Sequence, residues 1–178
     1  MTADPNWRLP EVPTFMLESP DFGEGDCLPR WARSAGSGGP GGEDRSPTLH
    51  WEDAPSGTRS FAITMYDPDA PTGSGWWHWA VYNIPSSISS LPADAGNPDA
   101  GLLPAGAITL PNELRAQRFQ GAAPPAGHGE HRYYFTVTAL DVERLDLPEG
   151  STPARLGFAM RDHVIARAQL MGVMETEG

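Results

Sequence analysis

The chain has 178 residues, a length typical of one domain with one hydrophobic core. Twelve basic and twenty-three acidic side chains give a formal net charge of −11, which repels the phosphates of nucleic acids and the surface of anionic membranes. All the basic residues are Arg, which excludes Schiff-base and other lysine chemistry. Cys27 is the only cysteine, which excludes an intrachain disulfide and a multi-cysteine metal site.

The first ten residues and the hydropathy of the chain indicate its cellular location. Residues 1–10 contain an acid and two prolines where a signal peptide needs a basic start and an apolar block. No apolar run approaches the roughly 18 residues that a membrane span requires. We therefore expect a cytoplasmic chain without a membrane span. The 20 Gly and 19 Pro, together with six Trp and six Phe, indicate a loop-rich β domain.

The segment from Arg30 to Pro47 has no hydrophobic period, which predicts a long surface loop. Gly36, Gly38 and Gly41 formally satisfy G-x-G-x-x-G, but Pro40 interrupts the motif. No predicted strand precedes it and no predicted helix follows it to face a pyrophosphate. The glycines therefore indicate a flexible loop and not a nucleotide site.

Phe61, Ile63 and Met65 alternate with smaller or polar residues, which predicts a strand over residues 61–66 with one buried face. The segment Asp67-Pro68-Asp69-Ala70-Pro71 follows this strand. Two prolines three residues apart cannot lie in a central ladder, so the segment is a stiff bend at the strand end.

Two further strands are predicted over residues 78–84 and 131–140. The first has apolar residues on both faces, which is typical of a central strand, and its alternation places His78 on the face opposite Trp79. The second places His131, Tyr133 and alternate residues up to Ala139 on one face. Strands separated by Pro/Gly bends predict antiparallel connections and a sandwich.

One helix is predicted near the end of the chain. Thr152 suits the N-cap and Pro153 the first helical position. Leu156, Met160, Val164 and Ala168 follow at near-helical spacing, and Gly172 is the expected stop.

The polar residues at these strand ends are the candidates for chemistry, because strand ends at one edge of a sheet form a natural pocket rim. They are Asp67, Asp69, His78 and His131. Taken singly, each Asp also suits the first position of a turn, and each His also suits a structural hydrogen bond. Their spacing matches no compact metal motif, so we expect a site without metal or cofactor in which a carboxylate orients a protonated His. The Trp residues around His78 are expected to pack in the core and at the rim.

Several segments resemble the phosphatidylethanolamine-binding protein family, and within it the bacterial branch labelled Raf kinase inhibitor-like. The similarity runs in order along most of the chain. It includes Ser46-Pro47-Thr48-Leu49-His50-Trp51, Met65-Tyr66-Asp67-Pro68-Asp69-Ala70-Pro71, Gly75-Trp76-Trp77-His78-Trp79-Ala80, Pro124-Pro125-Ala126-Gly127, His131-Arg132-Tyr133 and Ser151-Thr152-Pro153.

The resemblance implies a single, mainly β domain over residues 1–178, a sandwich of two antiparallel sheets with a C-terminal helix. It also implies a small pocket at the sheet ends that accepts phosphate-like anions. Carried over to matching positions, the pocket is lined by Asp67, Asp69, His78, Pro124, Pro125, His131 and Tyr133. Ala122 and Ala123 stand where the family often has Pro and Cys, respectively, which alters one wall.

The resulting expectation is a small-ligand binding protein for a phosphorylated or carboxylated molecule, with a regulatory role that involves protein partners. The alternative is a metal-free acid–base enzyme, a cyclase or isomerase of secondary metabolism, in which His78, His131, Asp67 and Asp69 would be catalytic. A third possibility is a protease or kinase inhibitor that acts through the loop of residues 30–47. The family resemblance also implies a homodimer.

Overall fold

The computed structural model describes residues 5, 6 and 8–178, so most of the N-terminal segment considered for a signal peptide lies outside the described residues. The fold consists of two antiparallel sheets and one α-helix. The strands are β1 (Met16–Glu18), β2 (Leu49–Glu52), β3 (Ser60–Asp67), β4 (Trp76–Pro85), β5 (Ser90–Leu91), β6 (Ile108–Thr109), β7 (His131–Leu140) and β8 (Val164–Met174). The helix α1 spans Pro153–Met160.

The larger sheet has the order β6-β4-β3-β7-β8 and the smaller sheet the order β1-β2-β5, with antiparallel pairing throughout. The predicted strands over residues 61–66, 78–84 and 131–140 lie within β3, β4 and β7, and this confirms the two-sheet prediction. The main core lies between the sheets, where the Trp51 ring of β2 meets the Phe61 ring of β3 edge-on at 5.5 Å. The last residue of β3, Asp67, and the first residues of β4 and β7, Trp76 and His131, therefore lie at the same edge of the larger sheet.

Two bulges in β4 change the faces predicted from simple alternation. Asn83 adopts a left-handed backbone conformation (φ 58°), so Ile84 turns into the main core rather than sharing a face with Ala80 and Tyr82. A second irregularity leaves His78 as an extra residue between Trp77 and Trp79, which are paired with consecutive residues of β3. As a result His78 lies on the same side of the sheet as Trp79, and the predicted opposite placement is wrong.

The outer face of the larger sheet is also partly covered. Leu156 of α1 packs there with Ala62, Ala80 and Tyr82 in a second apolar cluster. Thr152 caps α1 as predicted, because its hydroxyl accepts the backbone N–H of Arg155 at 3.2 Å.

The predicted extension of this helix to Gly172 is wrong, because residues 164–174 form β8. A spacing of four residues satisfies a period of two as well as 3.6, so the apolar stripe through Val164 and Ala168 fits either element. Ten residues of β7 pair with β8, so hydrogen bonds along the whole length of β7 hold residues 164–174 in the sheet. Gly172 is a strand residue whose missing side chain makes room for Leu28 and Phe22.

The loop of residues 30–47 contains one short 3-10 turn, Arg30–Ala32, and no long regular element, as predicted. It is nevertheless held against the rest of the fold. Arg33 forms an isolated parallel bridge with Ala122, and the Ser34 amide donates to the Ala122 carbonyl at 2.9 Å. Asp44 accepts the Gly121 amide at 2.7 Å. The loop therefore lies beside the segment that leads into β7.

Candidate functional site

A buried carboxylate–imidazole pair lies at the edge where β3 and β7 end. The Nδ1 atom of His131 is 2.8 Å from Oδ2 of Asp67, and the two side chains are only 2% and 4% exposed. The other oxygen of Asp67 accepts the amides of Asp69 and Ala70 at 2.8 and 3.0 Å. Asp67 thus serves as the turn residue and as the orienting carboxylate, the two roles that the sequence left as alternatives.

Asp69 lies in the same bend but points to a cation. Its two oxygens accept Nε and Nη2 of Arg132, each at 2.8 Å, and one of them also accepts the Arg132 amide at 3.0 Å. These hydrogen bonds lower the pKa of the Asp69 carboxyl below its ordinary value, although partial burial opposes the shift. The carboxylate is therefore ionised and neutralised by Arg132 at neutral pH.

His78 is buried and uncharged. Burial lowers its pKa to about 4, and this outweighs the opposing effect of Asp67 and the nearby backbone carbonyls. Its Nδ1–H donates to the Gln120 carbonyl at 3.0 Å, and its ring meets Tyr133 edge-on at 5.3 Å. Desolvation is therefore a larger effect at His78 than the negative charge of Asp67, and it favours the neutral imidazole.

Tyr133 is fully buried between these groups, two residues after His131 on the same face of β7. Its hydroxyl proton has no acceptor among the described residues, and only the backbone of Ala123 lies close to its oxygen. Burial and the negative charges of Asp67 and Asp69 raise its pKa, while the backbone of Ala123 and the charge of Arg33 act in the opposite direction. The hydroxyl is therefore a neutral donor at every physiological pH.

The structure adds residues that the sequence did not single out. Nδ1 of His128 lies 2.7 Å from Nε2 of His131, so Asp67, His131 and His128 form a chain of hydrogen bonds. The position of His128 three residues before His131 was an available signal, and so was the place of Arg132 inside the His-Arg-Tyr motif. The position of Arg33 near the site had no sequence signal, because the loop and β7 are about a hundred residues apart in the chain.

The guanidinium of Arg33 is the nearby cation without a counter-ion. Its Nε is buried without a hydrogen-bond partner, and the described residues provide no ion pair for it. By contrast, Arg132 is committed to Asp69. Positive charge at this edge of the sheet is therefore available from Arg33.

The remaining predicted residues lie around this centre. Pro124 is buried and Pro125 is exposed, and the Pro125 carbonyl accepts the His128 amide at 3.1 Å. Trp79 is in the core against Phe119, as expected. Two cavities, of about 460 and 420 Å³, lie elsewhere and include none of the predicted site residues. The described residues hold no cluster of three or more His, Cys, Asp or Glu suited to a metal ion.

The fold and this strand-end site define a class of protein. The family model of the phosphatidylethanolamine-binding proteins matches residues 18–175, and the chain belongs to that family.

Individual relatives agree with this assignment. The chain is 42% identical to the UPF0098 protein YbcL of Escherichia coli over 165 residues, which cover 93% of this chain and 90% of YbcL. It is 46% identical to the E. coli UPF0098 protein YbhB over 157 residues, covering 86% and 96% of the two chains. The crystal structure of YbcL, described as a new member of the mammalian PEBP family, superposes with a TM-score of 0.87 over 92% of this chain and 99% of that chain, at 41% identity.

One relative is described as a lipoprotein. The putative lipoprotein LppC of Mycobacterium tuberculosis is 32% identical over 174 residues, which cover 98% of this chain and 79% of LppC. In the part of the chain that the structure describes, no helix has both the length and the apolar character to cross a membrane.

Proposed function

We propose that the chain binds a small oxyanion, a phosphate group or a carboxylate, at the site of Asp67, His131 and Tyr133. The observation that carries this proposal is the buried Tyr133 hydroxyl without a partner, because native proteins leave few buried polar groups unsatisfied. An oxyanion beside Tyr133 would accept its proton in a charge-assisted hydrogen bond, which is stronger than a bond between neutral groups.

The two carboxylates of the site do not oppose this. Asp69 is paired with Arg132, and both oxygens of Asp67 are occupied by His131 and by backbone amides. The unpaired charge of Arg33 acts on Tyr133 and favours an anion next to it. A protonated His131 would offer Nε2–H as a second donor, since its Nδ1–H is held by Asp67.

The family name points to one source of such an anion, the phosphate of a phospholipid headgroup. A free phosphate and a phosphomonoester have the same chemistry. Because the site residues are buried at the sheet edge, we propose that the phosphate group itself is recognised, and that the regulatory role follows from ligand occupancy.

The experiment is titration calorimetry of the full chain with inorganic phosphate, O-phosphorylethanolamine and a short-chain phosphatidylethanolamine below its micellar concentration. We expect all three to bind and Tyr133→Phe to weaken each of them by roughly tenfold, the value of a charge-assisted hydrogen bond. Tyr82→Phe is the matched control, because Tyr82 is buried in the same sheet but on its outer face.

The outcome separates the possible sources of the ligand. Equal affinity for the three probes would indicate phosphate recognition, and tighter binding of the lipid alone would indicate contacts with the rest of the lipid. Unchanged affinity after Tyr133→Phe, or no binding of any probe, would contradict the proposed site.

The remaining sequence-based expectations are also part of this proposal. A single domain, a cytoplasmic location, protein partners and a homodimer are proposed, and cell fractionation with analytical ultracentrifugation tests the location and the oligomeric state. No observation favours the acid–base enzyme alternative, so catalysis is not proposed.

A further inference from the structure

His128 is the exposed end of the hydrogen-bonded chain that begins at the buried Asp67. Its ring lies against that of His131 with centroids 5.0 Å apart, and its Nδ1 is 2.7 Å from Nε2 of His131. His131 is 1% exposed, whereas His128 is exposed at the surface. The His128 ring therefore stands between solvent and the one nitrogen of His131 that Asp67 does not occupy.

The side chain of His128 is held by one hydrogen bond, while its backbone amide donates to the Pro125 carbonyl at 3.1 Å. Gly127 and Gly129 flank it, both with a left-handed backbone (φ 72° and 91°). A Cβ added at Gly129 would meet nothing within 4 Å, so the space beside that residue is open. Apart from its bond with His131, the structure gives the His128 side chain no hydrogen bond among the described residues. Rotation of the side chain therefore breaks a single hydrogen bond.

We propose that His128 is a displaceable plug, which occupies the place of the ligand's oxyanion at Nε2 of His131 and leaves when the ligand enters. This inference rests on the proposed function, and it names His128 as the residue that controls access to the proposed site. An imidazole ring and a tetrahedral oxyanion are similar in size, so removing the ring opens a space of suitable volume beside Nε2.

Proton positions distinguish the plugged from the liganded state. Since Nδ1–H of His131 donates to Asp67, Nε2 can accept from a neutral His128 or donate to it. Toward an oxyanion Nε2 must donate, so the bound form requires His131 as an imidazolium. If both imidazoles are protonated, the two facing nitrogens both carry hydrogens and the plug is expelled.

Several acidic side chains lie near His128 and His131. Asp67 and Asp69 act on His131, the first by direct contact and the second through its charge. The exposed Glu130 follows His128 in its own loop. Glu175 and Glu177 flank Thr176, whose carbonyl accepts the Gly127 amide at 3.1 Å. These carboxylates place negative charge near the imidazole pair.

The test uses sulfate as the probe, because its charge is constant across the neutral range. Titration calorimetry on the wild type, His128→Ala and Tyr133→Phe gives the three affinities. We expect His128→Ala to bind sulfate roughly three- to tenfold more tightly, because one net hydrogen bond no longer has to be broken. His163→Ala is the matched control, since His163 also pairs with an aspartate, Asp141 at 2.9 Å, but precedes β8 at the other end of the sheet.

A second readout follows the plug itself in the unmodified protein. In the wild type, sulfate should move the ¹⁵N resonance of the His128 Nδ1 atom toward the value of a free imidazole. Unchanged or weaker sulfate binding by His128→Ala, with Tyr133→Phe still impaired, would overturn the plug and leave the proposed function intact. Sulfate binding that Tyr133→Phe does not affect would instead contradict the proposed function.

Discussion

The buried, uncharged His78 makes the protein sensitive to acid, and the size of the effect follows from its environment. Burial lowers the pKa of His78 from 6.5 to about 4. In the unfolded chain the imidazole has its ordinary pKa, so between these values the unfolded state binds more protons than the folded state. The stabilisation is complete above about pH 6.5 and is lost as the pH falls toward 4. At about 1.4 kcal/mol per pKa unit, the loss at pH 4 is about 3 kcal/mol.

The perturbation that isolates this effect is His78→Asn. The Asn side-chain amide can still donate to the Gln120 carbonyl, as Nδ1–H of His78 does, but it does not titrate. Free energies of unfolding come from urea titrations at about pH 7, 6, 5 and 4, followed by tryptophan fluorescence. The smaller side chain lowers stability by a constant amount, so the informative quantity is the change with pH.

We expect the stability difference between the wild type and His78→Asn to shrink by about 3 kcal/mol from pH 7 to pH 4, since only the wild type carries the titrating group. His50→Asn is the control, because His50 is partly exposed and bonds Glu52 at the surface. A difference that stays constant over this range would refute the assignment of His78 as a buried neutral imidazole.

Three further substitutions test other contacts. Asp69→Asn should lower the free energy of unfolding by about 1–2 kcal/mol at pH 7, because it removes the carboxylate bound to Arg132. Urea titration should show this loss disappearing as the pH falls below the ordinary carboxyl range and through the lowered pKa of Asp69. Arg33→Met should weaken phosphate binding roughly three- to tenfold and reduce its dependence on salt, as measured by calorimetry at two ionic strengths. Asn83→Ala should cost about 3 kcal/mol in thermal or urea unfolding, because it leaves the buried amide and carbonyl of Leu145 without their partners at 2.8 and 3.0 Å.

Each of these predictions has a contrary result. For Asp69→Asn it is a stability loss that persists undiminished in acid. For Arg33→Met it is phosphate affinity with the same value and salt dependence as the wild type. For Asn83→Ala it is a protein as stable as the wild type, which would mean that the bonds to Leu145 contribute nothing net.

The long strands of the larger sheet could be predicted because each is long enough to display a period. β3, β4 and β7 have eight to ten residues, which is long enough for a strand pattern to show in the sequence, although β4 and much of β3 and β7 are buried on both faces. β1, β2 and β5 have two to four residues, too few to define a period, so the smaller sheet has no comparable signal. The sequence predicts helix for the residues of β8 because their apolar spacing fits both periods, and only the pairing with β7 decides between them.

The candidate site was predictable where local rules act. The prolines of the Asp67–Pro71 bend fix the carboxylates at a strand end, and antiparallel pairing brings His131 to the same edge. The charge of His78 was not predictable, because it depends on burial and on the bulge that turns the ring inward. Arg33 lies near the site through contacts of a distant loop, which no sequence period predicts, whereas the short spacing between His128 and His131 was the available signal for His128.

The most direct measurement of anion recognition at this sheet edge is a crystal structure of the full chain with selenate, a sulfate analogue whose anomalous scattering locates it without ambiguity. We expect a selenate oxygen within hydrogen-bonding distance of the Tyr133 hydroxyl and of Nε2 of His131, with the His128 ring turned out to solvent. Selenate found only in the cavity beside Arg59 and Arg144, with Tyr133 still unpaired and His128 in place, would contradict it.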